Sequence, residues 1–133
     1  MRRLVIRRAE ERCEYCGLAQ AGPEAQFHLD HIEPTSAGGA DEPHNLALAC
    51  VSCSLRKGAR RTVRDPLSAA EVRMFNPRQH ARQEHFRWEG LRLIGRTEIG
   101  RGMVEALQLN RTLIVAIRQE EALRLRHPPP VRA

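Results

Sequence analysis

Cys13-Glu14-Tyr15-Cys16 and Cys50-Val51-Ser52-Cys53 enclose the run Phe27-His28-Leu29-Asp30-His31-Ile32-Glu33-Pro34, and the reading of these three pieces decides the fold. A Cys-x-x-Cys turn brings two sulfurs to one ion, so two such turns can close a tetrahedral zinc site. A redox motif usually needs a single pair set in a βαβ unit, which is not the pattern here. With Cys13, Cys16, Cys50 and Cys53 all engaged, no coordination position stays open for substrate, so the expected zinc is structural. It would pin the first turn to the start of a helix beginning near Val51. Between the turns a carboxylate and an imidazole stand side by side at Asp30-His31, with room for a second, catalytic metal.

Residues 2–12 predict an Arg-rich helix with Leu4, Val5 and Ala9 along one side, running into the first cysteine turn. Ala21-Gly22-Pro23 is a break. Gln26 to Ile32 alternates as a strand, with Phe27, Leu29 and His31 on one face and His28, Asp30 and Ile32 on the other. Pro34 stops it, and Ser36-Ala37-Gly38-Gly39-Ala40 is a flexible loop. Leu46 to Ala49 is a short apolar strand, and the helix from Val51 carries the second cysteine turn with Arg56, Lys57, Arg60 and Arg61. Strand, loop, strand and helix over residues 26–61 make a ββα unit.

Beyond Asp65-Pro66 the pattern is mixed as far as Phe75 and broken at Asn76-Pro77. A short helix is predicted from Gln79 to Phe86, strand from Arg87 to Ile94, and helices over Thr97 to Leu109 and Arg111 to Arg126. Asn110 stands between these two as a cap, and Leu113, Ile114, Ile117 and Leu123 supply the last helix's apolar stripe. Phe86 and Trp88 are expected to pack rather than to stack on bases. His127-Pro128-Pro129-Pro130 cannot continue a helix. The expected class is α+β: a zinc-stapled core over 1–64, a mixed, mostly helical extension packed on it over 65–126, and a disordered tail over 127–133.

The chain has 133 residues, a formal charge of +6 and only 4% aromatic residues, so its core must be aliphatic and modest. A structural metal compensates for a small core, because its binding free energy is folding free energy. No stretch approaches the ~20 apolar residues of a membrane span, and the basic start lacks the apolar run of a secretory signal. A cytoplasmic location follows as the expectation, and there cysteine pairs are metal ligands rather than disulfides. The sequence pI of about 10.1 suits a polyanionic partner. The distribution of charge says more. Residues 54–64 carry Arg56, Lys57, Arg60, Arg61 and Arg64 without an acid, while 24–42 carry Glu24, Asp30, Glu33, Asp41 and Glu42 without Lys or Arg. Cations to hold a phosphate backbone beside carboxylates to hold an ion is what phosphodiester chemistry needs. An ordinary solvated helix face is the alternative for the basic run.

The cysteine pairs, Asp30-His31, Gly38-Gly39, Asn45-Leu46-Ala47-Leu48-Ala49-Cys50 and Cys53-Ser54-Leu55-Arg56-Lys57-Gly58 together resemble the four-cysteine zinc branch of the HNH (ββα-metal, His-Me finger) nucleases. Phe75-Asn76-Pro77-Arg78 and His85-Phe86-x-Trp88 resemble, less specifically, a C-terminal extension of some bacterial HNH proteins. Strand alternation sets the neighbours Asp30 and His31 on opposite faces, and the resemblance gives them different tasks. It implies Asp30 as a metal ligand and His31 as the general base that takes a proton from the attacking water. It implies that Asn45 orients the loop and holds the base's imidazole. Ser54 occupies the family's third signature position, usually His or Asn, and would complete the metal site as a neutral oxygen ligand. His28, His44 and His85 are further candidate ligands, each with a surface imidazole as the alternative. The Arg56-Lys57 segment is implied to contact substrate near the scissile phosphate, with Arg60 and Arg61 adding nucleic-acid contacts.

The implied function is a metal-dependent endonuclease that hydrolyses DNA with Mg2+ or Mn2+ (Ni2+, Co2+ or Zn2+ being alternatives), leaving 5′-phosphate and 3′-hydroxyl ends. RNA is a possible substrate, and a phage-defence role is a further reading. The alternative from another class is a non-catalytic zinc module that binds nucleic acid, for which Ser54 argues and Asp30-His31 argues against. Nothing resembles a base-reading helix, a membrane partner is not expected, and monomer and homodimer stay equally open.

Overall fold

The computed structural model describes residues 1–20 and 26–130; the break read at Ala21-Gly22-Pro23 and the last residues of the tail lie outside the described residues. The chain divides into two compact units, one of Met1–Arg61 with Asn76–Gln79, the other of Thr62–Phe75 with the residues from His80 onward. The first therefore ends at Arg61 rather than Arg64 and takes back a short later segment. Helices and small antiparallel strand pairs mix in the α+β manner expected. No helix among the described residues is long and apolar enough to cross a membrane.

In the first unit, helix α1 (Arg2–Arg8) buries Val5 and is followed by buried Ala9, an i, i+4 pair on one face, while Leu4 is exposed. The helix stops short of the residue 12 expected from sequence. Glu10 and Glu11 take left-handed backbone conformations (φ 55° and 59°), which turn the chain so that Cys13 can open its own tight turn. That turn closes through Gly17 N–H donating to the Cys13 carbonyl at 2.9 Å. Strand β1 (His28–His31) pairs antiparallel with β2 (Leu46–Ala49), setting Asp30 opposite Ala47 and His31 opposite Leu46. All four β2 residues are buried, which explains their apolar run without alternation. Glu14 ties the first cysteine turn to β2: its N–H donates to the Leu48 carbonyl, and its carboxylate accepts from Leu48 N–H at 2.8 Å. Arg78 pairs with the same carboxylate.

Helix α2 (Val51–Lys57) begins at Cys50, whose sulfur accepts from Cys53 N–H at 3.4 Å, and ends at Gly58, where φ is 53°. The positive φ makes glycine the natural stop. Arg60 and Arg61, expected on this helix, therefore lie past its end, and Arg64 sits on a strand.

Among the described residues, the second unit holds two hairpins and three helices. Strand β3 (Thr62–Arg64) pairs with β4 (Glu71–Arg73), and β5 (Phe86–Glu89) with β6 (Arg92–Gly95), both antiparallel. Helix α3 (Arg82–His85) precedes β5. Helix α4 (Glu98–Ala106) is capped by Thr97, whose hydroxyl accepts from Gly100 N–H at 3.1 Å. Val63, Phe75, Phe86, Leu93, Met103, Leu107 and Ile114 are buried in this unit.

Helix α5 (Thr112–Leu123) departs from the expected stripe: Leu113 and Leu123 are exposed, and the buried positions are Ile114, Arg118 and Glu121. The Arg118 guanidinium lies 4.8 Å from the Trp88 ring centre and donates to the Leu91 and Leu109 carbonyls. Asn110 is not a cap. Its amide pairs with both backbone groups of Leu93, at 2.7 and 2.8 Å, and stitches β6 to the turn before α5. Of the segment read as a disordered tail, His127 packs edge-on against Trp88 and bonds the Gly90 carbonyl at 2.8 Å.

Candidate metal centre and catalytic cleft

The four cysteine sulfurs converge within 4.8 Å of one another, all on buried residues. Tetrahedral zinc with bonds of about 2.3 Å sets its sulfurs about 3.8 Å apart, and Cys16 and Cys50 are separated by 3.8 Å. The donor set fits zinc by chemistry as well. Burial pushes the Cys13 thiol well above its ordinary range, so thiolates crowded here need a cation among them. The cluster joins the turn after α1 to the first turn of α2.

A cleft of ≈ 520 Å³ opens beside β1, lined among others by Arg2, His28, Asp30, His31, Thr35 and Ser54. Asp30 and His31, neighbours on a strand, thus reach one cleft, at different depths. Asp30 is 8% exposed, and one oxygen, Oδ2, takes both of its partners: the Tyr15 hydroxyl at 3.1 Å and the Lys57 ammonium at 3.2 Å. Burial raises the Asp30 pKa, opposed by the Lys57 charge and by hydrogen bonds from Lys57 and Tyr15. The Tyr15 hydroxyl is pushed up in turn, by burial and by the Asp30 charge.

His31 closes β1, and its Nε2 lies 3.2 Å from Asp41 Oδ1 on the following loop. That loop is held by Asn45. The Asn45 carbonyl accepts from Glu33 N–H at 2.8 Å, and its amide donates to the carbonyls of Glu33 and Ala40 at 3.0 and 2.9 Å. Gly39 packs under this clamp, where a Cβ would collide with the Glu33 carbonyl. The imidazole expected to be held by Asn45 is instead partnered by Asp41, and Asn45 acts on backbone alone.

Of the remaining predicted residues, Ser54 faces the cleft from α2 and Arg56 and Arg60 are exposed. Arg61 pairs with Glu33. Lys57 is the correction. Expected at the substrate, it is 1% exposed, and its ammonium is committed to Asp30 and, at 2.9 Å, to the His31 carbonyl. A glycine stop one residue later leaves no free turn of helix to carry it outward. Among the other imidazoles, His28 lines the cleft and His44 is exposed. His85 belongs to the second unit, where its Nδ1 lies 2.6 Å from the Thr97 hydroxyl.

Sequence reasoning missed Tyr15, Asp41 and Arg2. Tyr15 sits inside the Cys-x-x-Cys turn, whose closure aims it at β1. Asp41 was visible only as one acid of an acidic stretch. Arg2 belonged to a basic run with no distinguishing neighbour.

Residues 13–60 match the HNH endonuclease family. No curated protein and no solved structure matches the chain. The matched segment, about a third of the chain, spans both cysteine turns, Asp30-His31, Asn45 and α2, and it is this segment that is similar to the HNH endonuclease domain.

Proposed function

We propose that this protein is a divalent-metal-dependent endonuclease that hydrolyses phosphodiester bonds in DNA within the cleft beside β1. The observation that carries the reading is the meeting of His31, Asp30, Ser54 and Arg2 in one cleft, with His31 paired to Asp41. Asp41 on Nε2 leaves Nδ1 as the nitrogen for proton transfer. His31 accepts the proton of the attacking water there, and Asp41 steadies the resulting imidazolium. Asn45 fixes the loop that brings Asp41 to His31.

Asp30 and Ser54 are the residues that would hold the ion, with His28 beside them. Oδ2 of Asp30 is occupied by Tyr15 and Lys57, so Oδ1 is the oxygen to offer. One carboxylate oxygen and one hydroxyl fit a hard ion that completes its shell with water and substrate phosphate, as Mg2+ does. When bound, such an ion neutralises phosphate charge and stabilises the leaving 3′ oxygen. Arg2 at the cleft and the exposed Arg56 and Arg60 hold flanking phosphates without reading bases.

A non-catalytic nucleic-acid-binding module is favoured by one observation, the neutral Ser54 where a stronger ligand is usual. Supercoiled-plasmid cleavage by the zinc-loaded protein across Mg2+, Mn2+, Ni2+ and Zn2+, beside His31→Ala, decides between the two. Metal-dependent nicking lost in the variant supports the nuclease. DNA binding without cleavage under any ion supports the module.

A further inference from the structure

We propose that Lys57 makes the cleft's ion site substrate-gated: the divalent ion binds tightly only together with a nucleic-acid phosphate. This rests on the nuclease reading and concerns how the same site is loaded. Lys57 is the chain's only lysine, and it is almost wholly buried. A buried ammonium requires a counter-charge, and Asp30 supplies it at 3.2 Å. The carboxylate expected to attract a cation is thus already neutralised by the cation behind it. Ser54 and His28 bring no formal negative charge to the cleft wall, and Arg2 adds a positive one.

Among the residues lining the cleft, a divalent ion therefore meets one carboxylate, whose charge Lys57 already balances; the Asp41 carboxylate lies on the far side of the His31 ring nitrogen it partners. A phosphodiester laid in the cleft supplies the missing charge and two oxygens of the kind hard ions prefer. Ion and phosphate then bind cooperatively, and by linkage each raises the other's affinity by the same factor. Tyr15 has a different task. Its hydroxyl holds Oδ2 in place without changing the charge, so it orients Asp30 and does not gate it. The functional consequence is an endonuclease that carries its structural zinc constantly and its working ion only on substrate.

The test is Mn2+ titration followed by the electron paramagnetic resonance signal of the free ion, in a His31→Ala background that prevents turnover, with and without a short DNA duplex. Duplex alone and the additional Asp30→Asn variant separate the site's ion from ions condensed on DNA. The expected result is Mn2+ affinity at least about tenfold higher with duplex than without, within the ordinary range of coupling between two sites. That enhancement disappears in Asp30→Asn. Lys57→Met is expected to raise duplex-free affinity by about tenfold or more and to shrink the enhancement, while Tyr15→Phe leaves the ratio unchanged. Should Lys57→Met fail to fold, the titrations with Lys57 intact decide alone. Equal Mn2+ affinity with and without duplex overturns the gating and leaves the nuclease reading intact. No Asp30-dependent ion under either condition overturns both.

Discussion

Asn45→Asp separates two roles that an asparagine at this position can play. In the structure the side chain is a clamp: one bond accepted from Glu33 N–H and two donated to the carbonyls of Glu33 and Ala40, at 2.8 to 3.0 Å. At about 1 kcal/mol for each net hydrogen bond, Asn45→Ala costs about 3 kcal/mol of the first unit's stability. Aspartate keeps the acceptor but aims a carboxylate oxygen at two carbonyls. It forfeits two bonds and adds repulsion, so its cost is expected to equal or exceed that of alanine. The lone tyrosine, Tyr15, lies in the first unit and the lone tryptophan, Trp88, in the second. Urea titration followed at the tyrosine and tryptophan bands therefore gives each unit its own reporter, and the Tyr15 transition is expected to move to lower urea. Cleavage is expected to fall in both variants, because the loop no longer brings Asp41 to His31. An aspartate variant of unimpaired stability with tighter Mn2+ binding would refute the reasoning. It would mean that Asn45 serves the ion directly.

Metal analysis of protein purified without added metal is expected to find one zinc per chain. Strong chelation or Cys50→Ser is expected to unfold the first unit, since structural zinc supplies roughly 10 kcal/mol or more of folding free energy. Asp41→Asn is expected to lower single-turnover kcat about tenfold, a modest share of the 10²–10⁴ that general-base catalysis supplies, with KM nearly unchanged. A shift in KM alone would place Asp41 in substrate binding instead. Arg56→Ala and Arg60→Ala are each expected to reduce the slope of log affinity against log salt by about one, whatever the DNA sequence. In the second unit, Arg101 grips both oxygens of buried Asp65, at 2.9 and 2.7 Å, and holds its carboxyl well below the usual carboxylate range. A depressed carboxyl pKa contributes stability above the unfolded value of about 3.9 and loses it as pH falls toward the folded one. Asp65→Asn is therefore expected to flatten the acid side of the Trp88 unfolding profile, and an unchanged profile would refute the assignment.

What could be read from the sequence was whatever a spacing encodes. Cys-x-x-Cys is a closed geometric statement, so the cluster followed from it, and Leu46 to Ala49 followed from an unbroken apolar run. The helix read across residues 2–12 and the basic run read as one helix failed for a common reason. Both end where backbone conformation changes sign, at Glu10-Glu11 and at Gly58, and hydrophobic periodicity is silent about such points. Leu113 and Leu123 misled differently. An apolar stripe assumes that the buried face is apolar, whereas α5 buries Arg118, whose guanidinium donates to carbonyls and lies over the Trp88 ring. The same limit governs the cleft. Composition counted Lys57 with its exposed arginine neighbours, because a charge run carries no record of which member has its counter-charge within reach. Helical geometry supplies the distinction. Lys57 lies one turn beyond buried Cys53, on the side that meets β1, while Arg56 points to solvent. The basic helix and the acidic strand, which look from the sequence like separate tools for phosphate and metal, are therefore joined at Asp30 by an internal ion pair. Any charge assigned to the cleft has to be counted after that neutralisation, because the one carboxylate lining it already has its counter-charge 3.2 Å away on Lys57.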